Sequence, residues 1–361
     1  MIEQISGEKV LEKNLRWGIL STANIGRVAV IPAIQASRNG QVVAVASRDA
    51  QKAADFAAKN GIPRSYGSYE ALLDDPEIDA VYIPLPNSLH CEWTIKSAQA
   101  GKHILCEKPL ALTASQCLEM DEAAKGNGVL LMEAFMYRFH PRTEKVIELV
   151  KAGALGHVCV IQSSFTFRLT QPDNIRLRAD LGGGSLMDVG SYCVNLSRTL
   201  AGEEPVEVQA VVNWATSGVD DQMIGSLRFA SGLMAQFNSA LNLARCEQYT
   251  VMGVNGYLNV PAAFIPGKKD ALIHEFRERE ETQQVIEGID EYQCMVEHFA
   301  DCVLKAEQPR YSALEAAANM RVIEALYQSA RQGGTWQTVP QISKKGVRLN
   351  KNGVDDIGRM T

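Results

Sequence analysis

Leu15-Arg16-Trp17-Gly18-Ile19-Leu20 is a short apolar run that stops at Ser21-Thr22-Ala23-Asn24-Ile25-Gly26. Apolar residues then recur at helical spacing through Val30, Ile34 and Ala36 as far as Asn39-Gly40. Val42-Val43-Ala44-Val45-Ala46 is a second apolar run. This order predicts strand, turn, helix and strand, the repeating unit of a parallel sheet. The turn is where a dinucleotide fingerprint sits, because free N–H groups at a helix N-terminus hold a pyrophosphate. The three usual glycines read Ser21, Ala23 and Gly26, all small enough for the backbone to approach a phosphate. Ser21, Thr22, Ala23, Asn24 and Ile25 are therefore candidate cofactor contacts, although a βαβ turn without a ligand would look similar.

The end of the second strand selects between cofactors. An NAD site usually has an acid about 20 residues beyond the glycines, on the ribose 2′-hydroxyl. This chain has Ser47-Arg48 there and Lys52 one turn on. A hydroxyl and a guanidinium suit a 2′-phosphate, which Arg grips with two parallel hydrogen bonds. NADP is expected rather than NAD, with Asp49 the one residue that argues the other way.

The same unit repeats downstream. Helices are expected at Ala50–Asn60 and Tyr69–Leu73 with a Pro63/Gly67 turn between them, and a strand at Asp79–Ile83. That strand breaks at Pro84-Leu85-Pro86-Asn87, and His90 opens the next helix. Ile104-Leu105 then ends in Cys106-Glu107-Lys108-Pro109, the profile of a strand leaving a sheet at its carboxyl edge, where open α/β sheets place ligands. Proline fixes φ and is a candidate cis bond aiming the lysine. A solvated Glu-Lys pair in a plain turn is the alternative. A helix at Ser115–Lys125 and a strand at Val129–Met132 complete a doubly wound parallel sheet.

Beyond residue 136 the texture changes. After one helix (Arg142–Ala152) come alternating strand-like runs at Val158–Phe167, Val206–Trp214, Met223–Phe229, Leu233–Ala240, Tyr249–Val254 and Tyr257–Val260. They predict a second, α+β domain with a large open, mostly antiparallel sheet, closed by helices at Asp290–Ala306 and Ser312–Arg331. The expected organisation is a nucleotide-binding domain over 1–136 with a polar extension 1–14, a substrate and oligomerisation domain over 137–338, and a polar tail over 339–361. Within the second domain lies Gly182-Gly183-Gly184-Ser185-Leu186-Met187-Asp188-Val189-Gly190-Ser191-Tyr192. With Ser185 as N-cap, Asp188, Tyr192 and Asn195 fall on one helical stripe that faces either water or a site.

At 361 residues with 46% hydrophobic and 22% charged content, the chain reads as a soluble two-domain protein. A net charge of -6 offers no attraction to phosphate backbones and counts against nucleic-acid binding. Eight scattered cysteines with no C-x-x-C pair suggest a reducing compartment, with neither disulfides nor a metal site. Met1–Asn14 is not a signal peptide, and no apolar run reaches the roughly 20 residues of a membrane span. A cytoplasmic protein is expected.

Together these residues resemble the glucose–fructose oxidoreductase, inositol dehydrogenase and rhizopine-catabolism (Gfo/Idh/MocA) family, from Trp17 to about Arg331. The most specific matches are Glu107-Lys108-Pro109 and Gly183 through Gly190 with Tyr192. Inositol dehydrogenase types carry histidine at the Tyr192 place. Glu133-Ala134-Phe135-Met136-Tyr137-Arg138 and Gly202-Glu203-Glu204-Pro205 look closest to the sugar branch, which includes glucose–fructose oxidoreductase, NADP-dependent D-xylose dehydrogenase and dimeric dihydrodiol dehydrogenase. The resemblance implies a Rossmann domain joined to an open-faced sheet that often forms a subunit interface, hence a homo-oligomer, dimer or tetramer. It implies Lys108 and Tyr192 as the catalytic pair and Asp188 as partner of the lysine. It implies Glu107, Asn87, His90 and the Pro84-Leu85 turn along the nicotinamide ribose, and Arg176 near substrate or cofactor. The chain departs from the family in its Ser21/Ala23 fingerprint and charged N-terminus, and it lacks the twin-arginine leader of exported members.

The expected reaction is NADP-dependent hydride transfer at C1 of an aldose, giving the lactone, or at a keto-sugar. A phenol near its ordinary pKa of about 10 is too weak a base at pH 7 unless a cation lowers it, and Lys108 is the expected cation. Alternatives are a two-sugar ping-pong oxidoreductase with tightly bound NADP, an NAD-dependent glycosidase and a non-catalytic NADP-binding regulator.

Overall fold

The computed structural model describes residues 14–340, so the expected extension (apart from Asn14) and tail (apart from Val339 and Pro340) lie outside the described residues. Six strands form the first sheet: β1 (Leu15–Leu20), β2 (Gly40–Ala46), β3 (Arg64–Tyr66), β4 (Ala80–Ile83), β5 (His103–Cys106) and β6 (Leu131–Glu133). All run parallel, in the order β3-β2-β1-β4-β5-β6. Helices cover both faces, which is why these strands are near-continuous apolar runs. Trp17, Ile19, Val81, Tyr82, Ile104 and Leu105 are fully buried. The chain is helical over 24–36, with a π-helical stretch at Gly26–Val30 running into α1 (Ile31–Ala36).

Next come α2 (Ala50–Asn60), α3 (Tyr69–Leu73), α4 (His90–Gln99) and α5 (Ala114–Gly126). Side chains cap three of them: Asp49 accepts from the Lys52 N–H, Ser68 from Ala71 and Thr113 from Gln116. The Pro63/Gly67 turn contains the edge strand β3, whose three residues are too few to show alternation.

The chain then forms α6 (Pro141–Lys151), β7 (Val158–Arg168), α7 (Ser191–Ala201), β8 (Pro205–Trp214), β9 (Asp220–Phe229), β10 (Met234–Ala240), β11 (Asn242–Gly253) and β12 (Gly256–Pro261). Two further strands, β13 (Ala271–Arg277) and β14 (Glu280–Ile286), precede α8 (Glu291–Lys305), α9 (Ala313–Arg331) and β15 (Gln337–Thr338). The nine-stranded sheet runs β14-β13-β12-β11-β7-β10-β9-β8-β15, antiparallel except for the β7–β10 pair. One face packs on α7 and α9. Val211, Ile224 and Met234 alternate with buried neighbours and stay exposed on the other face.

The last helices return to the first sheet. On α8, Phe299 meets the Trp17 ring at 5.4 Å, and Asn39 Nδ2 donates to the Glu297 carbonyl at 2.9 Å. α9 packs on α5 and β6. Among the described residues, no helix is long and apolar enough to cross a membrane.

Candidate active site

Because the six strands are parallel, the turns after β1, β2, β4 and β5 leave at one edge. Strand order reverses between β1 and β4, the switch point at which open α/β sheets bind ligands. A cavity of about 800 Å³ opens there, within the size range of small-molecule sites. Ser21, Thr22, Ala23, Asn24, Ile25, Ser47, Arg48, Lys52, Pro84, Leu85, Asn87 and Glu107 line it from the first sheet, together with Lys108. Arg176, the 182–184 glycines, Asp188 and Tyr192 line it from the second half.

The nucleotide end is built from small groups and from two cations, of which Arg48 also meets the Tyr69 hydroxyl. Ser21, held at φ 144°, donates from Oγ to the Pro84 carbonyl at 3.2 Å, tying the β1 turn to the β4 turn. Arg48 and Lys52 have no ion-pair partner among the described residues. The residue that argued against NADP is engaged elsewhere: Asp49 Oδ1 accepts the Lys52 N–H at 3.0 Å as the cap of α2. Two unpaired cations beside Ser47, with the acid turned into a helix, fit a 2′-phosphate.

At the other end three segments meet. Lys108 leaves β5 over a cis Lys108–Pro109 bond. Its Nζ donates to the Asp188 carbonyl at 2.6 Å and to Asp188 Oδ1 at 3.1 Å, and lies 4.9 Å from the centroid of the Tyr192 ring. Arg176 Nε donates to Asp188 Oδ2 at 2.5 Å. Asp188 is thus held between two cations, and burial, which alone would raise its pKa, is outweighed by Lys108 and Arg176, leaving it at about 2. A carboxylate depressed from the ordinary aspartate range stabilises the fold above about pH 4, by on the order of 2 kcal/mol, and loses this as pH falls toward 2. Asp188→Asn should therefore lower the urea midpoint at pH 7 and flatten the stability–pH curve below pH 4; an unchanged acid limb would contradict the pairing.

Tyr192 is clamped by Phe135, Phe165 and Phe264, with centroids at 5.1, 5.3 and 5.3 Å. Its hydroxyl contacts Met136 Sδ at 3.4 Å. Burial pushes its pKa well above 10, with Tyr292 and Glu107 acting in the same direction. The expected lowering by Lys108 is overridden, because the ammonium sits over the ring and is itself paired with Asp188. Glu107 is buried and accepts the Tyr82 hydroxyl at 2.5 Å; burial raises its pKa against the pull of Lys108 and Tyr82.

Three residues are placed differently from the plainest reading of the sequence, the first without a test of its expected role. His90 is fully buried and absent from the cavity wall: its ring nitrogens lie 2.9 Å from the Pro109 and Leu85 carbonyls, so it joins the Lys108 loop to the β4 turn. Ser185 stands at the N-cap position but makes no side-chain cap. Its Oγ donates to Asp220 Oδ2 at 2.8 Å, and the same oxygen accepts the Leu186 N–H at 2.6 Å, so Asp220 from β9 anchors this end of the helix. The polar stripe is also broken. A π-helical stretch at Leu186–Gly190 shifts the phase, and Asn195 turns inward to accept the Tyr137 hydroxyl at 2.6 Å. Glycine is required at 184, with φ 119° and a Cβ position 2.1 Å from Asp220 Oδ1.

The residue types did not announce Met136, Phe165, Phe167 or Tyr292, which also line the cavity. They lie on a strand, a turn and a late helix that only the fold brings together. Among the described residues, no cluster of three His, Cys, Asp or Glu side chains is placed to hold a metal ion.

Comparison with known proteins agrees with this architecture. Residues 15–135 match the model of an oxidoreductase family with an NAD-binding Rossmann fold (GFO/IDH/MocA), and residues 143–259 match the GFO/IDH/MocA C-terminal domain. The D-xylose 1-dehydrogenase (NADP(+)) 2 of Haloferax volcanii is 42% identical over 88% of this chain and 98% of that protein. A 3-ketoreductase from Actinomadura kijaniata, solved with NADP and TDP-benzene, superposes with TM-score 0.84 at 30% identity over 88% of this chain and 98% of that one. The aldose-aldose oxidoreductase of Caulobacter crescentus, complexed with glycerol, gives TM-score 0.84 at 31% identity over 90% and 100%. With both halves matched and a 42% identical relative spanned almost end to end, the chain belongs to the GFO/IDH/MocA oxidoreductase family.

Proposed function

We propose that this chain is an NADP-dependent sugar oxidoreductase, moving a hydride between a nicotinamide and either C1 of an aldose, giving the lactone, or a keto-sugar. One observation carries the reading: the Lys108 amine lies over the Tyr192 ring, 4.9 Å from its centroid, in a cavity that Arg48 and Lys52 also line without an ion-pair partner among the described residues. The names of the relatives, an NADP-dependent D-xylose dehydrogenase and an aldose-aldose oxidoreductase, support it.

The nicotinamide, when bound, accepts or returns the hydride. Ser47, Arg48 and Lys52 hold the 2′-phosphate, and Ser21 to Ile25 receive the pyrophosphate. Pro84, Leu85, Asn87 and Glu107 border the ribose. Lys108 faces the reacting oxygen and stabilises negative charge as it develops there. Tyr192 gives a proton to that oxygen in reduction and takes it in oxidation. Its raised pKa keeps it protonated at neutral pH, which suits donation. Asp188 aims Lys108, and Arg176 holds Asp188.

Following NADP reduction with D-xylose, D-glucose and other aldoses tests the reading; release of nitrophenol from nitrophenyl glycosides without NADP turnover would replace it by a glycosidase. Arg48→Ala should raise the KM for NADP by about 10- to 100-fold and leave that for NAD unchanged, since a charge-assisted contact is worth about 1.5–3 kcal/mol. Equal losses for both nucleotides would move the 2′-phosphate site elsewhere.

The likeness to an aldose-aldose oxidoreductase favours one variant of this reading, a two-sugar enzyme whose NADP leaves only on denaturation. We also read the nucleotide-binding domain as 1–136 and the substrate and oligomerisation domain as 137–338. The open sheet face, with exposed Val211, Ile224 and Met234, supports a homo-oligomer. Eight unpaired cysteines support a cytoplasmic location.

A further inference from the structure

Buried phenols find partners, because a lone buried donor is costly. Tyr82 donates to Glu107, Tyr137 to Asn195 and Tyr327 to Asp220, each at 2.5–2.6 Å, and Tyr192 contacts Met136. Tyr292 differs. It lines the cavity, and among the described residues its hydroxyl has no hydrogen-bond partner. Burial raises its pKa, with Glu107 adding to the effect, so the group stays a neutral donor. Its helix, α8, packs on the 136–139 turn, whose Met136 touches the Tyr192 hydroxyl, and Met136, Tyr192 and Tyr292 all line the same cavity.

The ring is carried on a fixed element. Asp290 Oδ1 accepts the N–H groups of Tyr292 at 2.9 Å and Gln293 at 3.3 Å, locking the first turn of α8. The same helix is pinned to the first sheet through Trp17–Phe299 and Asn39–Glu297. A free donor on a rigid support beside the catalytic phenol is built to read a substrate group.

We propose that Tyr292 is a specificity-determining residue, donating a hydrogen bond to the substrate hydroxyl next to the reacting carbon, on C2 of an aldose. The inference rests on the sugar-oxidoreductase reading and adds the group that distinguishes a sugar from its deoxy analogue.

The test uses the full chain with NADP, and whichever of D-glucose or D-xylose turns over faster, against its 2-deoxy counterpart. Tyr292→Phe keeps the ring. It should raise the KM of the parent sugar about three- to tenfold with kcat nearly unchanged, and leave the KM of the 2-deoxy sugar and of NADP where they were. The wild-type preference for the hydroxylated sugar then collapses. Equal changes for both sugars, a change confined to NADP, a loss of kcat alone or no change at all would each overturn the assignment. If the wild-type protein reduces NADP with no aldose and oxidises NADPH with no keto-sugar, the parent reading falls and takes this inference with it.

Discussion

Replacing Lys108 with methionine is expected to lower kcat/KM by about 10²- to 10³-fold, the usual cost of losing one group aimed at developing oxyanion charge. Methionine keeps most of the stem and removes only the ammonium, so the loss is chemical rather than steric. Asp188 retains its 2.5 Å bond from Arg176, and the apolar surroundings of β5 are untouched, so the protein should still fold. NADP affinity should change little, because Arg48, Lys52 and the 21–25 segment lie in other turns. Initial rates alongside nucleotide titration separate the outcomes. Unaltered turnover would remove Lys108 from the chemistry, and a loss of NADP binding alone would reassign it to the cofactor.

Tyr192→Phe should cost about 10²- to 10⁴-fold in kcat, the range for a positioned acid or base. The aromatic clamp survives the change, since Phe135, Phe165 and Phe264 touch the ring and only the 3.4 Å contact to Met136 Sδ involves the hydroxyl. Each such ring pair is worth about 0.5–1.5 kcal/mol beyond its buried area, so the thermal midpoint should hardly move. The pH profile gives a second readout. With the phenol pKa pushed above 10, wild-type sugar oxidation should rise with pH through the alkaline range while reduction stays flat until the phenol begins to ionise. The phenylalanine variant should lose the rise. A variant that kept both the rate and the slope would place the proton transfer on another group.

The first sheet was legible because parallel strands covered on both faces announce themselves as apolar runs with turns between them. Leu15–Leu20, Ala50–Asn60 and Tyr69–Leu73 match their expected bounds, and the other elements of that half shift by only a few residues, with β3 the one hidden strand. In the second sheet, β13 and β14 were invisible. Glu275, Arg277 and Glu280 to Gln284 make that hairpin polar on both faces, so no alternation marks it. At the site, residue chemistry picked out Lys108, Asp188, Tyr192 and Arg48, because charges and phenols beside glycines and strand ends are unusual. Helical phase carried the errors. Two π-helical stretches, Gly26–Val30 and Leu186–Gly190, border the cavity, and the second rotates Asn195 into the interior. His90, whose place along the ribose came from the family resemblance, is buried between the Pro109 and Leu85 carbonyls, a backbone clasp that no spacing announces. Asp220 and Tyr292 could not have been found from spacing, since each reaches the site from a distant segment.

Isotope transfer follows the hydride itself. Incubated with NADP and C1-deuterated D-xylose or D-glucose, the wild-type protein should yield reduced nucleotide carrying a single deuterium by mass spectrometry, and Lys108→Met should yield almost none in the same time. Reduced nucleotide without label, or label transfer that persists undiminished in the variant, would contradict hydride transfer at this site.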